Sequence, residues 1–180
     1  MPSAAPTAAP AVKTEIGNAS IAVKPQTYTG KALKPAVTVA LNGVTLKNGV
    51  DYTVSYKNNK AVGSAMVSVK GEGDYTGEIV TSFAINPKKV SGLKVKAGTK
   101  KLAVSWKKVS GVTGYELQYS LKKDFNGAKT VVIKKGKTVK ATLKSLKSKK
   151  AYFVRIRAYK TVNGTKYYAA WSTSVKKKTK

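Results

Sequence analysis

The residue types that most often carry catalysis are absent or scarce in this sequence. None of its 180 residues is His or Cys, which excludes disulfides, thiolate and imidazole metal sites, and the common nucleophilic triads. Seven residues are acidic, and the densest group is Glu72, Asp74 and Glu78 beside a glycine-rich turn. General acid–base catalysis needs two carboxylates in one pocket, and a single loop offers too few oxygens for Ca²⁺. We therefore expect a non-enzymatic chain with no catalytic residue, metal or cofactor.

Positive charge is the dominant chemical feature. Lys and Arg number 35 against 7 acids, a net charge of +28, and residues 90–180 carry +23 of it. Arg155 and Arg157 are the only arginines. Lysine is a hydrated point charge, whereas phosphate or base recognition favours the planar fork of arginine, so the composition favours diffuse attraction to an anionic polymer over specific nucleic-acid binding. The lysines expected to make this contact are Lys134, Lys135, Lys137, Lys140, Lys144, Lys147, Lys149 and Lys150.

A second candidate site combines charged and aromatic residues. Glu116, Arg155 and Arg157 would share the outer face of neighbouring strands, where opposite charges pair across the sheet. Trp171 would then stack on the two guanidinium groups, which is a structural role. The functional alternative is an exposed aromatic platform for sugar rings. Its members would be Trp171, Tyr159, Tyr167 and Tyr168.

The order of elements predicts an all-β chain of two tandem small β-sandwich domains. Residues 1–12 are rich in Ala and Pro, as interdomain linkers are. Residues 13–87 alternate apolar and polar residues between turns such as Asn42-Gly43, a hairpin signal. The same alternation over residues 88–180 predicts seven strands, hence a β-sandwich. No apolar run approaches the ~18 residues of a membrane-spanning helix, so we expect no membrane insertion.

One segment also fits a helix. Val139, Leu143 and Leu146 have the spacing of the apolar face of a basic amphipathic helix, which would suit a membrane surface. The β-branched Thr138 and Thr142, the lack of an N-terminal capping box and the strands predicted on both sides favour a short strand instead.

Residues 90–180 resemble a fibronectin type III domain of the kind found in secreted bacterial proteins. The residues that carry the resemblance are Trp106 after Leu102-Ala103-Val104-Ser105, the strand from Gly114 to Ser120, Leu146 six residues before Tyr152, and Ala170-Trp171-Ser172. The resemblance implies structural roles for Trp106 in the core and for Tyr152, with Leu146, in a tyrosine corner. No Arg-Gly-Asp is present, so no integrin-type adhesion is implied.

Residues 13–86 resemble, more loosely, an immunoglobulin-like repeat of Gram-positive surface proteins. The resemblance rests on Tyr28-Thr29-Gly30-Lys31, on Asp51 to Tyr56, on Gly71 to Gly77 with its second Tyr-Thr-Gly, and on Phe83-Ala84-Ile85. It implies a secreted or cell-surface bacterial protein with further domains, and no shared chemistry.

Two functions fit these expectations. The first is a non-catalytic, monomeric spacer module of a larger secreted or cell-surface bacterial protein, whose lysines associate with anionic cell-wall polymers. The second is a module that binds an anionic or mucin-type glycan, or another host surface component, in adhesion. Fold alone does not decide between them.

Overall fold

The computed structural model describes residues 12–180, and every regular element in this range is a β-strand. The predicted linker, residues 1–12, lies outside the described residues except for Val12. Within the described range, no helix is long and apolar enough to cross a membrane. The all-β prediction is therefore confirmed.

The chain divides into two compact units. The N-terminal unit contains residues 12–24, 34–59 and 65–83, and the C-terminal unit contains residues 25–33, 60–64 and 84–180. Three short segments before residue 87 therefore belong to the C-terminal unit. The predicted domain boundary between residues 87 and 88 stays a prediction.

Nine strands precede residue 87, and they form three sheets. The strands are β1 (Thr14–Glu15), β2 (Ser20–Val23), β3 (Gln26–Thr27), β4 (Val37–Leu41), β5 (Val44–Thr45), β6 (Tyr52–Lys57), β7 (Gly63–Gly71), β8 (Tyr75–Thr76) and β9 (Glu78–Asn86). In the first sheet, β1 pairs with β8 in parallel. In the second sheet, β4 pairs with β2 and with β5, both antiparallel, and the third sheet has the order β3, β9, β7, β6.

The core of the N-terminal unit follows the alternation of its strands. Successive side chains on a strand point to opposite faces, so Val37, Val39 and Leu41 of β4 are all buried while Thr38 is exposed. Val67 and Val69 of β7 pack in the same cluster. Tyr52 closes this core, because its hydroxyl donates a 2.8 Å hydrogen bond to the carbonyl of Val37.

The C-terminal unit contains a sandwich of eight strands in two sheets. One sheet has the order β10, β11, β14; the other has the order β13, β12, β15, β16, with β17 also paired to β15. The strands are β10 (Lys94–Gly98), β11 (Lys101–Ser105), β12 (Gly114–Ser120), β13 (Lys129–Ile133), β14 (Lys140–Leu143), β15 (Ala151–Val162), β16 (Thr165–Tyr168) and β17 (Val175–Lys178).

The three residues expected to be structural all lie in the core of this sandwich. Trp106 packs edge-on against Tyr115 with ring centroids 5.3 Å apart, and Leu146 is buried beside them in the same cluster. The hydroxyl of Tyr152 accepts a 3.0 Å hydrogen bond from the backbone N–H of Lys147, which ties the β14–β15 loop to the following strand. The indole N–H of Trp106 is buried without a hydrogen-bond partner among the described residues.

The structure settles the helix alternative and changes the closing strand. Lys140–Leu143 is strand β14, so the strand interpretation of this segment is confirmed. No single strand covers Tyr167 to Ser174, because β16 ends at Tyr168 and β17 begins at Val175. Between these strands the hydroxyl of Ser172 accepts the backbone N–H of Ile156 at 3.0 Å, and the backbone N–H of Ser172 donates to the carbonyl of Ile156 at 2.8 Å.

Tyr52 predicts how the N-terminal unit responds to alkaline pH. Burial, and then the charge of Asp51, raise the pKa of Tyr52 above its ordinary value. The stabilising contribution of the protonated Tyr52 hydroxyl is therefore fully present below pH about 10, and it is lost as the pH rises through the folded-state pKa of Tyr52. Tyr52→Phe should lower the free energy of unfolding by about 1 kcal/mol at neutral pH, and this difference should shrink at alkaline pH. Urea unfolding followed by circular dichroism checks this, and a difference that stays constant or grows at alkaline pH contradicts it.

Candidate functional site

The eight predicted contact lysines are all exposed, but the fold separates them into two groups. Lys134, Lys135 and Lys137 lie in the loop after β13, whose last residue, Ile133, is opposite Tyr115 and hence level with Ala158. Lys144, Lys147, Lys149 and Lys150 lie in the loop that enters β15 at Ala151, and Lys140 lies on β14 between the two loops. Seven strand residues separate the two levels, about 23 Å at ~3.3 Å per residue. This exceeds the Debye length of about 8 Å at physiological salt, so the two groups interact little with each other through solvent. Contact of these eight lysines with an anionic polymer stays an untested prediction.

The second group is enlarged by lysines that are distant in sequence. The backbone N–H of Leu146 bonds to the carbonyl of Lys100 at 3.0 Å, and Lys100 N–H bonds to Lys180 at 3.4 Å. The hydroxyl of Thr179 donates to the carbonyl of Lys147 at 2.7 Å, which brings the last strand to the same place. We call this end of the sandwich the lysine end. Its exposed members are Lys100, Lys122, Lys129, Lys144, Lys147, Lys149, Lys150, Lys178 and Lys180.

The lysine end has little compensating negative charge. Asp124 lies in the turn between β12 and β13, and its carboxylate accepts the backbone N–H of Asn126 at 2.9 Å. The ion pair seen in the C-terminal unit is Glu116 with Arg157, and no ammonium group of the lysine end is in an ion pair in the part of the chain that the structure describes. The lysines there are free to exchange their counterions for a polyanion.

The two arginines form a different structure on the outer face of the second sheet. The guanidinium carbon of Arg155 lies 4.0 Å from the ring centroid of Phe125 and 4.5 Å from that of Trp171. The guanidinium carbon of Arg157 lies 4.4 Å from Trp171 and 3.9 Å from Tyr168. The five side chains thus alternate aromatic ring and cation, and we call them the arginine column. The predicted stacking of Trp171 on both guanidinium groups is confirmed.

Polar side chains of β12 position each arginine by hydrogen bonds. Arg157 donates two hydrogen bonds, 2.7 and 2.9 Å long, to one carboxylate oxygen of Glu116, which lies opposite it on β12. Arg155 makes the same pair of contacts with the amide oxygen of Gln118, at 2.7 and 2.9 Å. The expected charge pairing is therefore confirmed for Arg157, whereas Arg155 is bound by a neutral amide.

The column is partly buried, and two pKa directions agree with this. Burial, and then the neighbouring charge of Arg157, lower the pKa of Arg155. Burial, followed by the charge of Glu116 and a hydrogen bond to it, raises the pKa of Tyr168. Both shifts follow from the column's own contacts, so no ligand is needed to explain them.

The column leaves little of the predicted aromatic platform available. Tyr159 is only 3 % exposed, with its ring centroid 6.1 Å from that of Tyr168, so the expectation that it faces solvent is wrong. Trp171 and Tyr168 are partly exposed but contact guanidinium groups, and Tyr167 lies on the other face of β16. The four residues therefore do not form one open surface on which a sugar ring could stack. Sugar binding by these side chains stays an untested prediction.

The acidic residues form no metal-binding cluster in the described range. No group of three His, Cys, Asp or Glu residues there is close enough to hold a metal ion. Glu116 is buried, yet its neighbour is a cation, which suits an ion pair rather than an acid–base pair. Glu78 accepts a hydrogen bond from the hydroxyl of Ser68, a structural contact.

Some residues of these arrangements could have been found from the sequence and others could not. Gln118 follows Glu116 by two positions on one strand, so the period of the strand places it beside the next arginine. Phe125 lies in a turn with a left-handed φ of 63°, and no local pattern points it at Arg155. Lys100 and Lys180 reach the lysine end through long-range hydrogen bonds.

Comparisons with known proteins agree with this architecture for the second half of the chain. Residues 87–175 match the family model of the fibronectin type III domain. This supports the predicted fibronectin type III domain, while the resemblance of residues 13–86 to a bacterial immunoglobulin-like repeat stays a prediction. No curated protein matches the sequence significantly.

Several solved structures are similar to parts of the chain. One described as "Myokine structure" is 21% identical with a TM-score of 0.44, over 52% of this chain and 98% of that one. A computationally redesigned β-sandwich protein is 21% identical with a TM-score of 0.42, over 50% of this chain and 87% of its own. The chicken CNTN1 FN1-FN3 domains are 14% identical with a TM-score of 0.46, over 93% of this chain and 68% of that one.

Trp171 should matter for stability. Trp171→Leu keeps an apolar side chain but removes the ring that both guanidinium groups contact, so it should lower the free energy of unfolding by about 1–3 kcal/mol. Tyr167→Leu is the control, because no cation lies over the Tyr167 ring in the described structure. Urea unfolding followed by circular dichroism checks this. Equal losses in the two variants would show that the cation contacts contribute nothing.

Proposed function

We propose that this chain is a non-catalytic β-sandwich module of a secreted or cell-surface bacterial protein, and that its lysine end contacts an anionic cell-wall polymer. The observation that carries the proposal is the concentration of nine exposed lysines at one end of the C-terminal unit, contributed by four separate segments. In this arrangement the module would hold neighbouring domains against, or at a set distance from, the cell wall.

The distribution of charge supports a polymer as the partner. A polyanion bound to several lysines releases the condensed counterions of both partners, and this gain grows with the number of contacts. Lysine ammonium groups make such contacts without a fixed geometry, which suits a flexible, repetitive polymer. The arginines, which could recognise a specific phosphate, are already engaged by Glu116 and Gln118.

The remaining chemistry of the described residues supports a non-catalytic role. The buried acid Glu116 is in an ion pair, and the turn acids Glu72, Asp74 and Glu78 form no metal-binding group. A fibronectin type III match over residues 87–175 fits a modular domain of a larger protein.

A glycan-binding role is the second candidate, and one observation favours it. The lysine end contains a cleft of about 350 Å³ with aromatic walls. A polymer that used this cleft would be recognised by shape as well as by charge, as adhesion to an anionic glycan requires.

The test compares two variants with equal loss of charge. In the first, Lys122, Lys129, Lys147 and Lys150 of the lysine end are changed to Gln; in the matched control, Lys134, Lys135, Lys137 and Lys140 are changed to Gln. Binding to Gram-positive cell walls is measured from low to physiological salt, before and after extraction of the anionic wall polymers. The lysine-end variant should reduce the slope of log affinity against log salt by roughly one per lost contact, and the control should change it little.

Two results would contradict the proposal. If both variants weaken binding equally, the lysines act as a uniform coat and the chain has no polymer-binding end. If neither the wild-type chain nor the variants bind at low salt, the anionic wall polymer is not the partner.

A further inference from the structure

The cleft at the lysine end lies between two connections of the C-terminal unit. One wall is the turn from β12 to β13, including Asn126 and Gly127, and the other is the β14–β15 loop, including Ser145. Its volume of about 350 Å³ is within the range of small-ligand sites. Gly127 has a left-handed φ of 69° that lets the turn fold back over the cleft.

The interior of the cleft is apolar and rigid. Tyr119 and Tyr152 line it with ring centroids 6.2 Å apart and planes inclined by 55°. Tyr152 is fixed by the hydrogen bond from the Lys147 N–H, and the buried Leu146 lies next to it. Because Tyr152 is buried, the half-buried ring of Tyr119 is the one that can pack against the C–H face of a sugar ring.

The rim of the cleft is cationic and polar. Lys122, Lys129 and Lys147 contribute ammonium groups, and no acidic residue lines the cleft. The nearby Asp124 is turned to the backbone of Asn126, with which it bonds at 2.9 Å. The side chains of Asn126 and Ser145 can donate to and accept from hydroxyl groups.

We propose that this cleft binds a sugar ring that carries a carboxylate, as in a uronic-acid polymer. The half-buried ring of Tyr119, backed by the buried Tyr152, would pack on the sugar ring. The three lysines would attract the carboxylate, and Asn126 and Ser145 would bond to hydroxyl groups. A neutral sugar would leave the lysines without a partner, and an anion without a ring would leave the aromatic walls uncovered. The inference deepens the proposed function, because it names the part of the polymer that the lysine end recognises.

The test follows the amide signals of the ¹⁵N-labelled chain at about physiological salt, ~0.15 M. The probes are tetragalacturonate, its fully methyl-esterified form, which keeps the rings but loses the charges, and inorganic polyphosphate, which has charge but no rings. Tetragalacturonate should shift the signals of Gly127, Ser145 and Lys147 saturably, and the other two probes should not. The double variant Lys122→Met, Lys129→Met should weaken this binding about tenfold or more, while Lys134→Met, Lys135→Met should not.

Each contrary outcome has a distinct meaning. If polyphosphate shifts the same signals equally, or tetragalacturonate shifts both groups of lysines, charge alone acts: this inference fails and the proposed function stands. If the methyl ester binds as well as the acid, the lysines do not select the ligand and the inference fails. If tetragalacturonate does not bind but cell walls do, the cleft is not the recognition site; if neither binds, the proposed function fails as well.

Discussion

Mutual repulsion among lysines is the constraint within which the C-terminal unit must fold. Residues 90–180 carry 25 cations and two acids, so burial of apolar surface has to outweigh the repulsion of a net +23. The two sheets achieve this by strict alternation: Leu102 and Val104 of β11, and Val154 and Ile156 of β15, are buried almost completely, while the lysines remain on loops, edges and strand ends. The sites where charge can act therefore lie at the ends of the sandwich. The lysine end is one of them.

The arginine column shows how the same sheet stabilises two partly buried cations. Glu116 balances one charge and the amide of Gln118 satisfies the other, while the rings of Phe125, Trp171 and Tyr168 separate the guanidinium groups from water and from each other. Stacked arginines retain favourable electrostatics with aromatic rings when desolvated, which a strongly hydrated ammonium group does less well. The division between arginines inside the column and lysines outside it follows from this difference. The same difference explains why we assign binding to the exposed lysines and not to the arginines, whose side chains are already held by contacts within the column.

Local pattern in the sequence was sufficient for the fold and insufficient for the sites. The period of two identifies buried positions such as Val37 and Val39 because each strand has one face in a core, and the Trp106 and Tyr152 positions identify a sandwich. The resemblance of Ala170-Trp171-Ser172 to a fibronectin type III domain led to the expectation that Trp171 stacks on Arg155 and Arg157. Local pattern could not show that Tyr159 is covered by Tyr168, because these two residues are brought opposite each other by the register of β15 and β16 in the folded sheet. Nor could it show that Lys100 and Lys180 join the β14–β15 loop, because bonds between residues so far apart in sequence depend on the whole topology.

The proposed function requires that the lysines of residues 90–180 form an unpaired excess of charge rather than a network of ion pairs. The most direct measurement is the thermal unfolding temperature of the C-terminal unit as NaCl rises from about 10 mM to about 200 mM, followed by tryptophan fluorescence. Screening of like charges should raise this temperature, and the rise should be smaller in the variant that lacks Lys122, Lys129, Lys147 and Lys150. The buried pair of Glu116 and Arg157 should be screened much less and oppose the trend little. A transition that moves to lower temperature with salt would mean that attractive pairs dominate, and the lysine end would then not be available to a polyanion.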